Sequence, residues 1–318
     1  MQRLAAIFAL PFIITACGSD DDSSTADAFP RTLDLGEHYS ATFDMSDVEK
    51  GVADITVSIQ STDGSPLPDE AVTISPLMQM NSGMNHDTPM SVRSGDLNDD
   101  GQFHTTAYFL MPSGDELGTW SMTVEFDGEM ETFAIDVDMM MSEREMLRGT
   151  EDKINGMNGE EFRPYFLFNE GRHIGEQMDH FSVYIAARET MMKHTSLENN
   201  ITLTGEMAME MDESMPMAMM ISEDMTSYDL TITSIDVDMC AAQDCDTNDN
   251  SWVPAATVEG YPGLYRAMNL GLAGDNTDVI QVRLIVNEEQ KIKNEMDTVA
   301  IFTFDGSASS TTEMSHNH

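Results

Sequence analysis

Apolar residues return at every second position along much of this 318-residue chain, and that period admits few folds. In "ADITVSIQS" (53–61), Ile55, Val57 and Ile59 face one way while Thr56 and Ser58 face the other. A helix needs apolar residues three and four apart, whereas alternation by two makes a strand with one buried and one wetted face. The same pattern runs through "YSATFDM" (39–45), "EAVTISPLM" (70–78), "QFHTTAYFL" (102–110), "GTWSMTVEF" (118–126) and "METFAIDVDM" (130–139). Turn signals such as "TDGSPLPD" and "NDDG" separate them. Short strands at this spacing predict an all-β unit, an antiparallel β-sandwich over 31–140. The chain is long enough for two such units.

A second copy of the pattern follows. "DITVSI" (54–59) is matched by "FSVYIA" (181–186), the Met-x-Met element at Met78 by that at Met207, and "GQFH" (101–104) by "GLYR" (263–266). The closing strands "WSMTVEF" and "TFAIDV" are matched by "IQVRLIV" and "VAIFTF". Order and spacing agree except between the Met element and the glycine step. There the second copy carries about thirty extra residues, including the loop between Cys240 and Cys245. The second sandwich is therefore expected over 163–306. The charged, Gly-containing segment 141–162 breaks the alternation and is expected to be a linker with room for one short helix.

The N-terminus carries address information. Arg3 precedes an apolar run from Leu4 to Ile14, too short to span a bilayer but suited to a secretory signal peptide at 1–16. "ITAC" resembles the lipobox of bacterial lipoproteins, which implies lipidation of Cys17 and attachment to a membrane. Gly18 follows it, and the resemblance then favours the outer membrane, facing either the periplasm or the cell surface. The Ser- and Asp-rich stretch 17–30 reads as a flexible tether, and 307–318, ending "MSHNH", as a disordered tail. In an oxidising envelope compartment, Cys240 and Cys245 are expected to form a disulfide.

Fifteen basic residues against 57 acidic ones leave a net charge of −42. Such a surface repels phosphate backbones, so nucleic acid is excluded as a partner, while cations gather near it. "DLNDDG" (96–101) places oxygens as a calcium loop does but has Ala107 where a bidentate Glu is needed, so an Asx turn is expected there. No G-x-S-x-G, P-loop, H-E-x-x-H or Gly-rich dinucleotide fingerprint is present, and no enzyme activity is expected.

Methionine carries the remaining chemistry, with 29 in the chain. "MAMEM" and "MPMAM" place Met207, Met209, Met211, Met215, Met217 and Met219 on one face of a hairpin turning at Asp212 to Ser214, with Pro216 assigning it to an edge. "MQMNSGMNHDTPM" supplies Met78, Met80, Met84, His86 and Met90 in a loop-like setting, with His104 as a further candidate. Thioether sulfur is soft and needs no deprotonation, so it suits Cu(I), and imidazole extends the set to Cu(II). The competing reading is that Met fills irregular core gaps.

Those residues also carry a resemblance. "PLPDEAVTISPLMQMNSGMNHDTPM" followed by "DDGQFHTTAYFLMPSGDELGTWSMTVEF" resembles the YtkA-like domain, related in layout to FixH-type proteins. The resemblance implies an exported immunoglobulin-like module, of a kind several members of which are associated with copper handling. The second copy lacks the Gly-Trp step and the histidine. Taken together, the sequence leads us to expect two immunoglobulin-like antiparallel β-sandwich domains in tandem. They would form a lipid-anchored envelope protein that binds copper for sequestration or delivery to a copper-handling partner. An acidic adhesion or scaffolding lipoprotein is the alternative. A carbohydrate-binding module would require Trp120 or Trp252 to be exposed.

Overall fold

The computed structural model describes residues 29–46, 48, 51–138, 144–156, 159–174, 178–190, 193–205, 228–241, 245, 251–272, 279–294 and 297–304. All regular structure among them is strand. The first half contains β1 (Arg31–Leu35), β2 (Tyr39–Met45), β3 (Val52–Ser61), β4 (Val72–Met80), β5 (Asn85–Asp87), β6 (Ser94–Gly95), β7 (Gln102–Tyr108), β8 (Gly118–Phe126) and β9 (Glu129–Ile135). One sheet has the order β1-β2-β3-β7 and the other β5-β4-β8-β9, with β6 also on β4; every pairing is antiparallel. Alternate residues from both sheets meet in one core, among them Phe43, Ile55, Val57, Ile74, Trp120, Met122 and Val124. This is a β-sandwich, held by the alternation read above.

The second half contains β10 (Arg144–Gly156), β11 (Gly159–Ile174), β12 (Asp179–Arg188), β13 (His194–Ser196), β14 (Thr202–Leu203), β15 (Leu230–Thr231), β16 (Ile235–Ala241), β17 (Val253–Pro254), β18 (Ala256–Thr257), β19 (Leu264–Met268), β20 (Val279–Val286), β21 (Glu289–Gln290) and β22 (Ala300–Thr303). One sheet runs β10-β11-β12-β19-β18 with β13 also on β12. The other runs β17-β16-β20-β21 with β22 also on β20, and β14 pairs with β15 alone. A second core lies between the two larger sheets, including Leu167, Val183, Ile185, Val237, Met239, Val282 and Leu284.

Strand order is the same in both halves, with β1-β2-β3-β7 matching β10-β11-β12-β19 and β4-β8-β9 matching β16-β20-β22. The glycine steps coincide in detail. Gly101 and Gly263 each have positive φ, at 72° and 78°. Each also accepts a hydrogen bond from the third strand, Ile59 N to Gly101 O at 3.0 Å and Ile185 N to Gly263 O at 2.8 Å. A Cβ at Gly263 would lie 2.8 Å from Ile185 O, so the close strand approach requires glycine.

Two sequence expectations are corrected here. The segment 141–162 is not a linker with a helix, because β10 occupies 144–156 and pairs with β11 from Arg144 to Gly156. Also, the strand of the second half that corresponds in sheet order to Met-bearing β4 is β16, not the segment at Met207. The extra residues of the second half lie between β12 and β16, at 189–234, against 62–71 between β3 and β4 in the first half. Cys240 belongs to β16 itself and is bonded to Cys245, with the Cα atoms 6.1 Å apart.

The two sandwiches meet through a third apolar cluster, where Val52, Tyr108 and Leu110 pack on Phe166, Phe168, Tyr184, Ala186 and Leu264. The rings of Tyr108 and Tyr184 are stacked, 3.5 Å apart and 3° from parallel. The β11–β12 region is consequently covered on both faces. Its sequence, "YFLF" and "VYIAA", is continuously apolar where other strands alternate.

Candidate metal centre

The β4–β5 hairpin brings four of the expected donors together. Met78 lies opposite His86 and Gln79 opposite Asn85. The backbone bond from Met80 N to Met84 O, at 2.8 Å, continues that register, so Met80 lies opposite Met84. Side chains two apart share a face and cross-strand partners sit roughly 4.5–5.5 Å apart. Met78, Met80, Met84 and His86 therefore occupy one face of a two-stranded ribbon. Met78 is fully buried, while Met80, Met84 and His86 are half-buried at the rim of the first core.

Local chemistry builds this rim. Gly83, at φ 84°, makes the turn together with the bond from Gly83 N to Met80 O. Gly118 of β8 lies beside Met80, and a Cβ there would stand 2.2 Å from Gln79 O, so only glycine lets β8 approach. At the end of β5, Asp87 is a hub. Arg93 Nη2 donates to Asp87 Oδ2 at 2.7 Å and to Thr88 O at 2.6 Å. From the second sandwich, His194 N donates to Asp87 Oδ1 at 3.2 Å, and its Nδ1 is 3.4 Å from the same oxygen.

Burial pushes the His86 imidazole below its ordinary pKa, and His194 and Arg188 push it the same way against the opposing charge of Asp87. His194 is lowered chiefly by burial, with Asp87 opposing. A neutral imidazole presents a lone pair with no proton to displace, which suits a metal ligand. Arg188, itself paired with Glu161, sets a fixed positive charge near the rim.

The other expected donors are placed differently. Met90, 4% exposed, belongs to the core, as does Met78. His104 lies on β7, in the opposite sheet, with its ring exposed and Nδ1 3.0 Å from Thr56 Oγ1. Arg266 occupies the corresponding position of the second sandwich and bonds Ser182 Oγ there at 2.9 Å. The His104 position thus serves a cross-strand hydroxyl and does not join the hairpin set. Met207, Met209, Met211, Met215, Met217 and Met219, together with Cys17, lie outside the described residues.

Asn98 Oδ1 accepts from Asp100 N at 3.0 Å and Gln102 N at 2.9 Å, which makes "DLNDDG" an Asx turn leading into β7. Trp120 is fully buried, its Nε1 donating to Met111 O at 3.0 Å, and Arg283 covers the Trp252 ring at 4.8 Å. Asp87, Arg93 and His194 were not legible as site residues. His194 reaches Asp87 across 107 positions, for which the local pattern gives no signal, and Arg93, six positions from Asp87, joins it only through the path of the chain after β5.

No family model matches this chain, and no curated protein matches it. Among solved structures, it overlaps a conserved domain protein from Bacillus anthracis at a TM-score of 0.28 and 9% identity, covering 89% of this chain and 90% of that one. An I-band fragment from titin overlaps at a TM-score of 0.17 and 8% identity, covering 84% and 99%. Overlaps this loose carry no argument, and the centre is read from its own geometry.

Among the described residues no three His, Cys, Asp or Glu side chains are grouped to hold an ion. The set that is grouped, at the hairpin rim, consists of three thioethers and one imidazole. Its chemistry fits a soft, low-charge ion and offers nothing to Ca²⁺ or Mg²⁺, which need oxygen cages.

Proposed function

We propose that this protein is a lipid-anchored envelope protein that holds Cu(I) at the β4–β5 hairpin, for sequestration or delivery to a copper-handling partner. The observation that carries the reading is the register itself, which sets Met80 against Met84 and Met78 against His86 on one face. Met80, Met84 and His86 would act as ligands at the rim, with Met78 beneath them as a fourth ligand and third sulfur reached by a rotamer change. The net charge of −42 raises the local concentration of cations around the rim. Anchoring through Cys17 and an outer-membrane location come from the lipobox resemblance. The resemblance to YtkA-like modules points in the same direction.

Cu(I) titration against a competing chelator tests this, comparing wild type with the M80L, M84L and H86A triple variant. Loss of a ligand's outer hydrogen-bond partner typically weakens a metal roughly 10- to 100-fold. Loss of three ligands is expected to weaken one equivalent at least that much. Unchanged affinity would remove the hairpin from the copper reading.

A second reading is favoured by the burial of Met45, Met78, Met90, Met122 and Met239 in the two cores. Methionine there is packing material, and the protein would be an acidic adhesion or scaffolding lipoprotein. It expects no stoichiometric Cu(I) uptake in the same titration.

A further inference from the structure

The second sandwich encloses a lysine that no metal chemistry uses. Lys291 follows β21 directly and is fully buried. Its Nζ lies 2.5 Å from Asp152 Oδ2 and 2.6 Å from Glu289 Oε2, and these carboxylate side chains are only 8% and 15% exposed. The Tyr165 ring lies 5.2 Å from Nζ, and the Tyr165 hydroxyl donates to Asp152 Oδ2. Asp152 sits in β10, where the register to β11 is interrupted between Arg148 and Lys153.

The surrounding backbone fixes each partner. Arg148 N donates to Ile292 O at 2.7 Å and Ile292 N to Arg148 O at 2.9 Å, clamping the lysine segment to β10. Lys291 N donates to Leu284 O at 2.8 Å. Glu289 Oε1 accepts from Thr150 N, from Thr150 Oγ1 at 2.6 Å and from Glu151 N at 2.8 Å. An amine and a carboxyl are thus pressed together in a nearly dry site, with a second, independently held carboxylate touching the amine.

We propose that Lys291 and Asp152 condense to an intramolecular amide bond, with Glu289 relaying protons. The step balances without any co-reactant. Nζ attacks Cγ of Asp152, an N–C bond forms and one C–O bond breaks. Two of the three ammonium protons pass to the departing oxygen, which leaves as water, and the third stays on the amide nitrogen. Glu289 Oε2, in contact with Nζ, takes one of these protons and returns it to the leaving oxygen.

Two physical arguments favour the bond. The carboxyl carbon is one bond beyond an oxygen already at 2.5 Å from Nζ, which brings it within reach of the roughly 3–3.5 Å separation from which such attacks proceed. Groups held this way react at effective concentrations of about 10⁵ M or more, which offsets the unfavourable equilibrium of amide formation in water. Condensation also removes two of three buried charges, each costly to hold away from solvent. Glu289, the charge that remains, keeps the three donors from Thr150 and Glu151.

Peptide mapping of the full-length wild-type chain, reduced and digested with trypsin, tests the proposal. The expected product is residues 149–153 joined to residues 284–293, lighter by one water than the two peptides together and uncut after Lys291. In Lys291→Arg the peptide 149–153 should appear alone. Recovery of free 149–153 and free 284–291 from wild type would overturn the proposal, and this reading stands whether or not the variant folds. A cross-link to 149–153 that persists in Lys291→Arg would overturn it as well.

Discussion

At the scale of single residues, the least comfortable group is Glu170 on β11. Although the residue is half-buried, its Oε1 is shut off from solvent without a hydrogen-bond partner. Burial raises its pKa from 4.5 to about 7, with Asp54 adding to the rise while the Tyr108 hydroxyl and Arg266 oppose it. A carboxyl whose folded pKa is raised binds its proton more tightly when folded. Its contribution is therefore fully favourable below about 4.5 and declines as pH rises to about 7, by up to about 3 kcal/mol. Glu170→Gln, which cannot ionise, is expected to be more stable than wild type by up to that amount near pH 8 and to converge with it towards pH 4.5. Urea denaturation across that pH range measures the difference, and a constant offset would rule the account out.

At the scale of elements, the hairpin rim depends on the approach of β8 to β4 at Gly118, where φ is 146°. Gly118→Ala would push a methyl into Gln79 O. It is expected to cost about 2–3 kcal/mol in chemical denaturation and to weaken Cu(I) uptake by displacing Met80. The strands of the first sandwich were legible because their buried positions are apolar and regularly spaced. "YSATFDM" and "GTWSMTVEF" coincide with β2 and β8 residue for residue. β1 gives too short a signal to be read, since Leu33 and Leu35 are its only buried side chains. β10 escapes the pattern for a different reason. Its middle carries Asp152 inward towards a buried lysine, so a charge stands where the alternation would show an apolar residue. The expected strand 70–78 ends at Met78 because Asn81, Ser82 and Gly83 follow closely, yet β4 runs on to Met80, with Met78 continuing the inward series Val72, Ile74, Pro76. The register that sets His86 opposite Met78 depends on where the turn falls, and composition does not specify that.

At the scale of the whole molecule, the Tyr108–Tyr184 stack couples the sandwiches, helped by Tyr184 and Ser196 hydroxyls that reach Met90 O at 3.4 and 3.3 Å. Tyr108→Ala removes one ring of the stack, a loss of about 3–5 kcal/mol by analogy with other large aromatic truncations. Calorimetry is expected to show one transition for wild type and two for the variant; a single transition in both would mean that the cluster does not link the units. The matched strand order has a practical corollary. Between β12 and β16 the second half accommodates 189–234 where the first has only 62–71 between β3 and β4, and chain closure there grows costlier only slowly with length. The short crossover of the first half is thus a natural grafting point, where a reporter peptide or epitope could be spliced in and displayed while both halves keep their native packing.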